Sequence, residues 1–352
     1  MSGKSYLGLD TLILLPMGCL LIASQLAQVI SPERIPLLAF AGLVFPYVLM
    51  FFLAGVMVRI FRRFWKGLWW PLVLLILIYP SIDRTLGFCR GAEITKSTES
   101  VSITSFNVRR FDEYNWIKGS ETRTEIFDWI SSNPTEIMCF QEFPRFEKDA
   151  VATSLDDHKV YLTGRKTGPA TVTTLKVIRT INWIPTGERY AKGLITDIVK
   201  DSDTLRVYNI HLQSVGLSSE DYDAVRQGIS AGSRTRLISR LVSAFSIRAA
   251  QTRSLRKHID TSPYPVIVAG DFNDTPVSYA LKTILEGSET DMDLCDSFSS
   301  SSEGLGATYV GDIPGLRIDF LLHSESLSPF NFKTHHIELS DHRPVSVILN
   351  FR

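Results

Sequence analysis

Two charge-free apolar runs near the N-terminus constrain this chain more than any other feature. Leu12–Ile30 holds 19 residues and Ile35–Val58 holds 24, and none of them is charged. A helix needs ~20 apolar residues to cross a bilayer, so both runs are expected to span. A third run, Gly67–Ile82, has 16 residues, with Trp69 and Trp70 at one edge and Tyr79 near the other. Aromatic side chains of this kind suit the water–lipid boundary. The sequence therefore predicts a membrane anchor over residues 1–82, with about three transmembrane helices. The second run begins only four residues after the first, and no small-residue cleavage pattern intervenes. A cleaved signal peptide is disfavoured on both counts.

Charge sets the expected orientation. The loop Arg59-Ile-Phe-Arg-Arg-Phe-Trp-Lys66 carries four positive charges and no negative one, whereas Ser31-Pro-Glu-Arg34 carries no net charge. Cationic loops stay in the cytoplasm. The basic loop is then inside, and everything after Ile82 is extracytoplasmic. This makes an integral protein of the inner (cytoplasmic) membrane with its large C-terminal part outside. Without the third span that part falls on the cytoplasmic side. No charged residue lies inside the three runs, which argues against an ion path.

The formal net charge of zero hides two unlike parts. Residues 1–90 hold eight basic residues against three acidic, a net +5, and the remainder is at −5. A mildly acidic domain does not look built to neutralise a long polyanion such as duplex DNA. Cys19, Cys89, Cys139 and Cys295 have no metal-ligand spacing and form no disulfide framework. A Cys89–Cys295 bridge is compatible only with an extracytoplasmic domain.

After a polar connector, 83–100, the chain alternates strand-like and helix-like stretches over 101–352. Strands are expected at Val101–Val108, Glu136–Phe143, Thr171–Ile178, Gly193–Val199, Leu205–Leu212, Pro265–Ala269, Arg317–Leu322 and Val345–Phe351. Helices are expected at Glu121–Ser131 and Ser233–Ile259. Strands dominate and helices interleave irregularly, which predicts an α+β layered fold of packed sheets with helices outside.

Six short motifs at strand ends carry polar residues of types that bind metal or phosphate. They are Ser105-Phe-Asn107, Gln141-Glu142, Asn209-Ile-His211, Gly270-Asp271-Phe-Asn273, Arg317-Ile-Asp319 and Ser340-Asp341-His342-Arg-Pro344. Each alone reads as a turn residue or cap. Together they are a set of hard oxygen ligands and two imidazoles, suited to Mg²⁺ or Mn²⁺ and not to zinc. Asp271 and Asn273 are two apart, so extended backbone points them to one face. A turn before Pro344 would aim the adjacent Asp341 and His342 into one cleft.

This ordered pattern resembles the endonuclease/exonuclease/phosphatase superfamily. Its relatives include DNase I-like nucleases, apurinic-site endonucleases, neutral sphingomyelinases and inositol polyphosphate 5-phosphatases. The likeness runs from about Val101 to Arg352. It implies a four-layer α/β sandwich of two packed mixed β-sheets, with an Mg²⁺-dependent cleft at their ends. It also implies roles: Glu142 as the main metal ligand with Asn107 beside it, and Asp341 on the metal side. His211 and Asn273 would donate to phosphate oxygens, Asp271 would position or deprotonate water, and His342 would contact the phosphate with Asp319 orienting it. Phosphoryl transfer makes those demands of charge neutralisation, donors and an in-line nucleophile. One departure concerns Gly168–Lys176, which lacks the Ser-Lys/Arg pair many relatives carry and which tends to border the substrate cleft.

The expected activity is hydrolysis of phosphodiester or phosphomonoester bonds at a membrane. A lipid headgroup, a small phosphoester and nucleic acid are the candidate substrates, and the tether favours the first two. An extracytoplasmic nuclease and a non-catalytic binding protein are the rival readings, and no protein partner is predicted. Basic residues Arg234, Arg236, Arg240, Arg248, Arg253, Arg256 and Lys257 read as a solvated outer helix face, or as a surface toward anionic lipid or nucleic-acid backbone.

Overall fold

The computed structural model describes residues 9–65, 67–88, 99–117, 121–216, 231–287, 292–311 and 313–352. Most of the connector, with Cys89, lies outside the described residues, as does the Arg234 side chain.

Beyond the connector the fold is two stacked six-stranded sheets. The first has the order β11-β12-β1-β2-β4-β3. Its strands are β1 Ser100–Asn107, β2 Ile137–Pro144, β3 Lys159–Leu162, β4 Thr167–Thr173, β11 Leu327–Thr334 and β12 Val345–Phe351. The second has the order β5-β6-β7-β8-β10-β9. It contains β5 Lys176–Trp183, β6 Gly193–Lys200, β7 Asp203–His211, β8 Val266–Asp271, β9 Leu294–Asp296 and β10 Asp319–Ser324. Each sheet is mixed, with β1–β2 and β7–β8 parallel and the other pairs antiparallel.

The period-2 pleat explains the layering. In β8, Ile267 and Ala269 point between the sheets, where they meet Val101, Ile103 and Val347 of the first sheet. Val266 and Val268 point outward beneath Leu255, Ile259, Leu281 and Ile284. Those last four belong to α8 (Ala231–Asp260) and α9 (Tyr279–Leu285), the outer layer on the second sheet. On the first sheet, Phe106, Met138 and Val172 are covered by Ile126, Ile130 and Val151 of α6 (Thr122–Ser132) and α7 (Lys148–Ser154). The four-layer sandwich of two mixed sheets is therefore the observed fold. A short α10 (Ser297–Ser301) follows β9.

One expected strand is divided. Thr171–Ile178 reads as a single apolar stretch, but the chain turns at Thr174 and Leu175 and crosses from β4 in one sheet to β5 in the other. Period alone cannot separate a long strand from two short ones joined at a sheet corner.

The N-terminal helices differ more from expectation. The first run is one helix, α1 Leu9–Val29. The second is α2 Pro36–Leu43 and α3 Phe45–Phe61, bent by 59° at Val44, where Pro46 opens the new helix. The third is α4 Trp69–Leu77 and α5 Tyr79–Thr85, broken at Ile78 ahead of Pro80. Among the described residues one helix is long and apolar enough to cross a membrane, or two if the bent pair counts as one span. The third run is not a continuous spanning helix. Contacts nonetheless fix the course of the chain. Leu14 of α1 meets Gly55 of α3 and Ala27 meets Gly42 of α2, so α1 runs antiparallel to the α2–α3 pair. Gly18 meets Trp70 and Leu74, and Gln28 donates to Ser81 at 3.1 Å, so α1 and α4–α5 run parallel. The basic loop therefore lies at one end of this bundle, and the sandwich at the other.

The long helix α8 carries its cations differently from either sequence reading. Arg248 and Arg256 are buried, paired with Asp274 at 3.0 Å and with Asp260 at 2.6 Å. Arg253 reaches Glu33 at 2.8 Å. Arg248 and Arg253 tie α8 to other parts of the chain, as does Arg256 by donating to the Ile284 and Met292 carbonyls at 2.8 Å each, while Arg236 near the helix start is exposed.

Candidate active site

The strand ends bring the motifs to one edge of the sandwich. In the second sheet His211, Asp271 and Asp319 lie abreast, because His211 pairs with Asp271 in the parallel β7–β8 ladder and Asp271 with Asp319 in the antiparallel β8–β10 ladder. In the first sheet Asn107 pairs with Gln141. Gly270 makes the approach possible: its φ is +145°, and a Cβ there would sit 2.0 Å from the Ile210 carbonyl oxygen.

One oxygen is the focus of the cluster. Asp271 Oδ2 accepts from Asn107 Nδ2 at 3.0 Å. His342 Nε2 stands 3.5 Å and His211 Nε2 3.6 Å from the same atom. The other oxygen, Oδ1, accepts the Asn273 backbone N–H at 2.8 Å. Asn273 has φ +52° and donates its amide to the Leu212 carbonyl at 3.2 Å. His342 Nδ1 is 2.9 Å from Asp319 Oδ2, and the Asp319 N–H donates to Thr308 Oγ1 at 3.1 Å.

Across the cleft stand Glu142 and Asp341. Glu142 sits in β2 where its register with β4 shifts between Phe140 and Phe143, in a left-handed conformation at φ +51° that turns it out of the ladder. Asp341 is 3.5 Å from Arg109 Nε, and Arg109 lies over the Trp116 ring at 4.4 Å. Asn107 Oδ1 accepts the Arg109 backbone N–H at 3.0 Å, so Asn107 presents its amide nitrogen to the cleft.

Electrostatics divide these groups. Burial, then the nearby Asp341 carboxylate, push the Glu142 carboxyl above its ordinary value. Burial also raises Asp271, with Asp319 adding and His342 opposing. Burial lowers His211, outweighing the pull of Asp271. Burial works against a charged His342 too, but Asp319 and Asp271 together hold it well above the usual imidazole value. The surroundings thus bias the two imidazoles in opposite directions, His211 toward its neutral form and His342 toward its protonated one.

The donor set fits a hard divalent cation on the Glu142–Asp341 side. A buried carboxyl such as Glu142, with a second carboxylate adding to its raised proton affinity, is relieved by a cation shared between the two. Oxygens and nitrogen of Asp271, Asp319 and His342 also lie within 4.8 Å of one another. There His342 already sits between two carboxylates, 2.9 Å from Asp319 and 3.5 Å from Asp271, so that trio is better suited to holding a proton.

The predicted site residues Asn107, Glu142, His211, Asp271, Asn273, Asp319, Asp341 and His342 all border this one cleft. Others were missed. Gln141 donates to Asn209 Oδ1 at 2.9 Å and to Ser105 Oγ at 3.2 Å. Asn209 donates to the Phe140 and Ala170 carbonyls at 3.1 and 2.8 Å. This buried chain joins the two sheets beneath the cleft. Ser340 donates to the Asn107 carbonyl at 2.8 Å. All four are flanking letters of the motifs themselves, so a signal was present. Thr308 and Arg109 lie outside the motif cores and gave none. The stretch Gly168–Lys176 is mostly β4, paired between β2 and β3, and Asn209 binds it at Ala170.

A family model described as the endonuclease/exonuclease/phosphatase family matches residues 104–342. The chain belongs to this family. A second model, described only as a domain of unknown function, matches residues 9–85. No curated protein matches. Among solved structures, an endonuclease/exonuclease/phosphatase family protein from Bacteroides thetaiotaomicron is similar at 16% identity and TM-score 0.56, over 73% of this chain and 100% of that one. A family member from Bacteroides vulgatus is similar at 15% identity and TM-score 0.54, over 73% and 100%. A mannosyl-6-phosphatase from B. thetaiotaomicron is similar at 14% identity and TM-score 0.52, over 71% and 100%. At these identities the likeness extends to the fold, and the cleft of this family member is read from its own residues.

Proposed function

We propose that this family member is a membrane-anchored, divalent-metal-dependent hydrolase of phosphodiester or phosphomonoester bonds. One observation carries the reading: Asn107, His211 and His342 converge on a single oxygen of the buried Asp271, opposite the carboxylates of Glu142 and Asp341.

Each residue has a task that follows from its state. Asp271 has a raised proton affinity and takes a proton from the attacking water. Asn107 and the Asn273 N–H hold that carboxylate in register. His342, kept protonated by Asp319, presents a charged donor to a phosphoryl oxygen. Neutral His211 and the amide of Asn273 line the second-sheet side and add uncharged donors. Glu142 and Asp341 would hold Mg²⁺ or Mn²⁺, which neutralises phosphate charge and stabilises the departing oxygen when bound.

The helical bundle supports the membrane part. Leu12, Ile22 and Leu26 of α1, Met50, Phe51 and Met57 of α3, and Leu72, Val73 and Ile76 of α4 are all exposed. An apolar surface of that breadth calls for lipid or a partner. The basic loop and the sandwich lie at opposite ends of the bundle. With the basic loop in the cytoplasm, the cleft is extracytoplasmic.

The test uses the full-length protein in detergent micelles with Mg²⁺ or Mn²⁺. The substrates are bis-p-nitrophenyl phosphate, p-nitrophenyl phosphate, DNA and RNA oligonucleotides, and phospholipid vesicles. Turnover of at least one is expected, abolished by EDTA and reduced at least ~100-fold in Glu142→Gln. No turnover on any of them, or activity that ignores EDTA, would overturn the reading.

A further inference from the structure

The helical bundle touches the sandwich at the two loops that carry the cleft. The first loop follows β8. Only six residues after Asp271, the fully buried Val277 enters the bundle's own apolar cluster, beside Phe45, Leu49, Ile78 and Ile82. Thr275 Oγ1 donates to the Gly42 carbonyl of α2 at 3.2 Å. Between these residues the backbones are in close contact: a Cβ on Gly42 would lie 2.2 Å from the Val277 carbonyl oxygen.

The second loop leads into β10. Arg317, two residues before Asp319, is buried between the rings of Phe298 and Phe320 and pairs with Asp296 at 2.6 Å. Its second contact is the carbonyl of Arg84, at the end of α5, at 2.8 Å. Gly87 and Gly304 exchange backbone hydrogen bonds at 2.8 and 3.0 Å. Tyr47 of α3 donates to the Pro314 carbonyl. The same loop contains Thr308, which receives the Asp319 N–H.

We propose that the bundle is a positioning element of the active site, in addition to its role as a tether. The bend at Val44 turns α2 beneath the sandwich, where Gly42 seats the loop bearing Asn273. The segment after α5 seats the loop that precedes Asp319. The sheet ladder alone aligns Asp271 with Asp319, but it does not reach Asn273 or Thr308, which lie beyond the paired strands. Those two depend on loops whose far sides rest on bundle residues. Gly42, Thr275 and Val277 are therefore positioning residues for the cleft, acting through Asn273.

The activity arm of the test rests on the phosphoesterase reading, so a second readout is independent of it. Full-length wild type, Gly42→Ala and Thr275→Val are compared in nanodiscs. The Cβ of Gly42→Ala must displace the 275–277 backbone. The expected result is a fall in kcat of at least ~10-fold with KM for bis-p-nitrophenyl phosphate changed less than ~3-fold. Thr275→Val keeps the shape and loses one hydrogen bond, and a ~2- to 5-fold fall in kcat is expected. Hydrogen exchange should quicken in segment 271–278 of both variants, while β1 and β7 stay protected as in wild type. Leu37→Ala, on the exposed side of α2, should match wild type. Wild-type kcat in Gly42→Ala and Thr275→Val, with unchanged exchange at 271–278, would overturn the proposal. Should Gly42→Ala unfold globally, Thr275→Val decides. A wild type inactive on every substrate would sink the phosphoesterase reading and leave the exchange comparison to decide this one.

Discussion

Replacing Asn209 by leucine probes whether the two sheets are locked together beneath the cleft. Asn209 is fully buried and makes three hydrogen bonds, to Gln141, Phe140 and Ala170. Leucine has the same branched shape but is larger, so no cavity opens, and any overpacking adds to the polar loss. At about 1 kcal/mol net for each bond, the change costs about 3 kcal/mol, and more if the Gln141 amide finds no new partner. That is roughly a hundredfold in the unfolding equilibrium. The assay is denaturant unfolding of full-length protein in micelles, followed by near-UV circular dichroism of the sandwich. A second variant sharpens the number. Gln141→Leu leaves Asn209 Oδ1 unpaired, and the double variant should cost less than the two singles together by about 1 kcal/mol. Activity at a permissive temperature should also fall, because Glu142 directly follows Gln141 in the chain. A cost below about 1 kcal/mol for Asn209→Leu, or strict additivity in the pair, would refute the idea of a sheet-joining polar chain.

Two other expectations follow. Gly270→Ala places a Cβ 2.0 Å from the Ile210 carbonyl at φ +145°. The parallel strands β7 and β8 must part beside Asp271, so a loss of about 3 kcal/mol or more is expected, together with loss of activity; a wild-type unfolding midpoint would contradict this. Away from the cleft, burial holds His258, His323 and His335 below the ordinary imidazole value. Above ~6.5 neither folded nor unfolded chain protonates them; below it the unfolded chain binds protons that the folded chain refuses. Their contribution is present above ~6.5 and is lost as pH falls toward their depressed folded values. His342, held high, works in the opposite sense, so the useful quantity is a difference. His323→Leu should lose less of its melting temperature than wild type between pH 7.5 and 5.5, and an identical pH slope would count against the buried neutral imidazole.

Much of the site was legible because its chemistry is written in short motifs at strand ends. Gly270-Asp271-Phe-Asn273 and Ser340-Asp341-His342 name their side chains within a few residues. The flanking letters were underread: Ser105, Gln141 and Asn209 looked like spacers, yet they bond to one another across the sheets. Arg248 and Arg256 looked like a solvated stripe, because helical spacing records which residues share a face and not that the Asp274 carboxylate and the Ile284 and Met292 carbonyls wait opposite. The corner at Thr174-Leu175 and the breaks at Val44 and Ile78 were hidden for a similar reason. An unbroken apolar run is compatible with a straight element or a bent one, and the choice depends on what packs against it.

The sequence by itself determined the family, the layered class and the apolar character of the N-terminal segment. The family rests on the resemblance carried by the strand-end motifs, and the layered class and apolar runs rest on composition and period along the chain. Tertiary structure alone decided that His211, Asp271 and Asp319 stand abreast, since sheet register joins residues 60 and 48 positions apart. It also decided that α2 turns under the sandwich to meet Val277 through Gly42. A glycine in an apolar run gives no sign of a partner more than 200 residues away. Such contacts come from closing long loops around a common core, and no local pattern encodes which loops close.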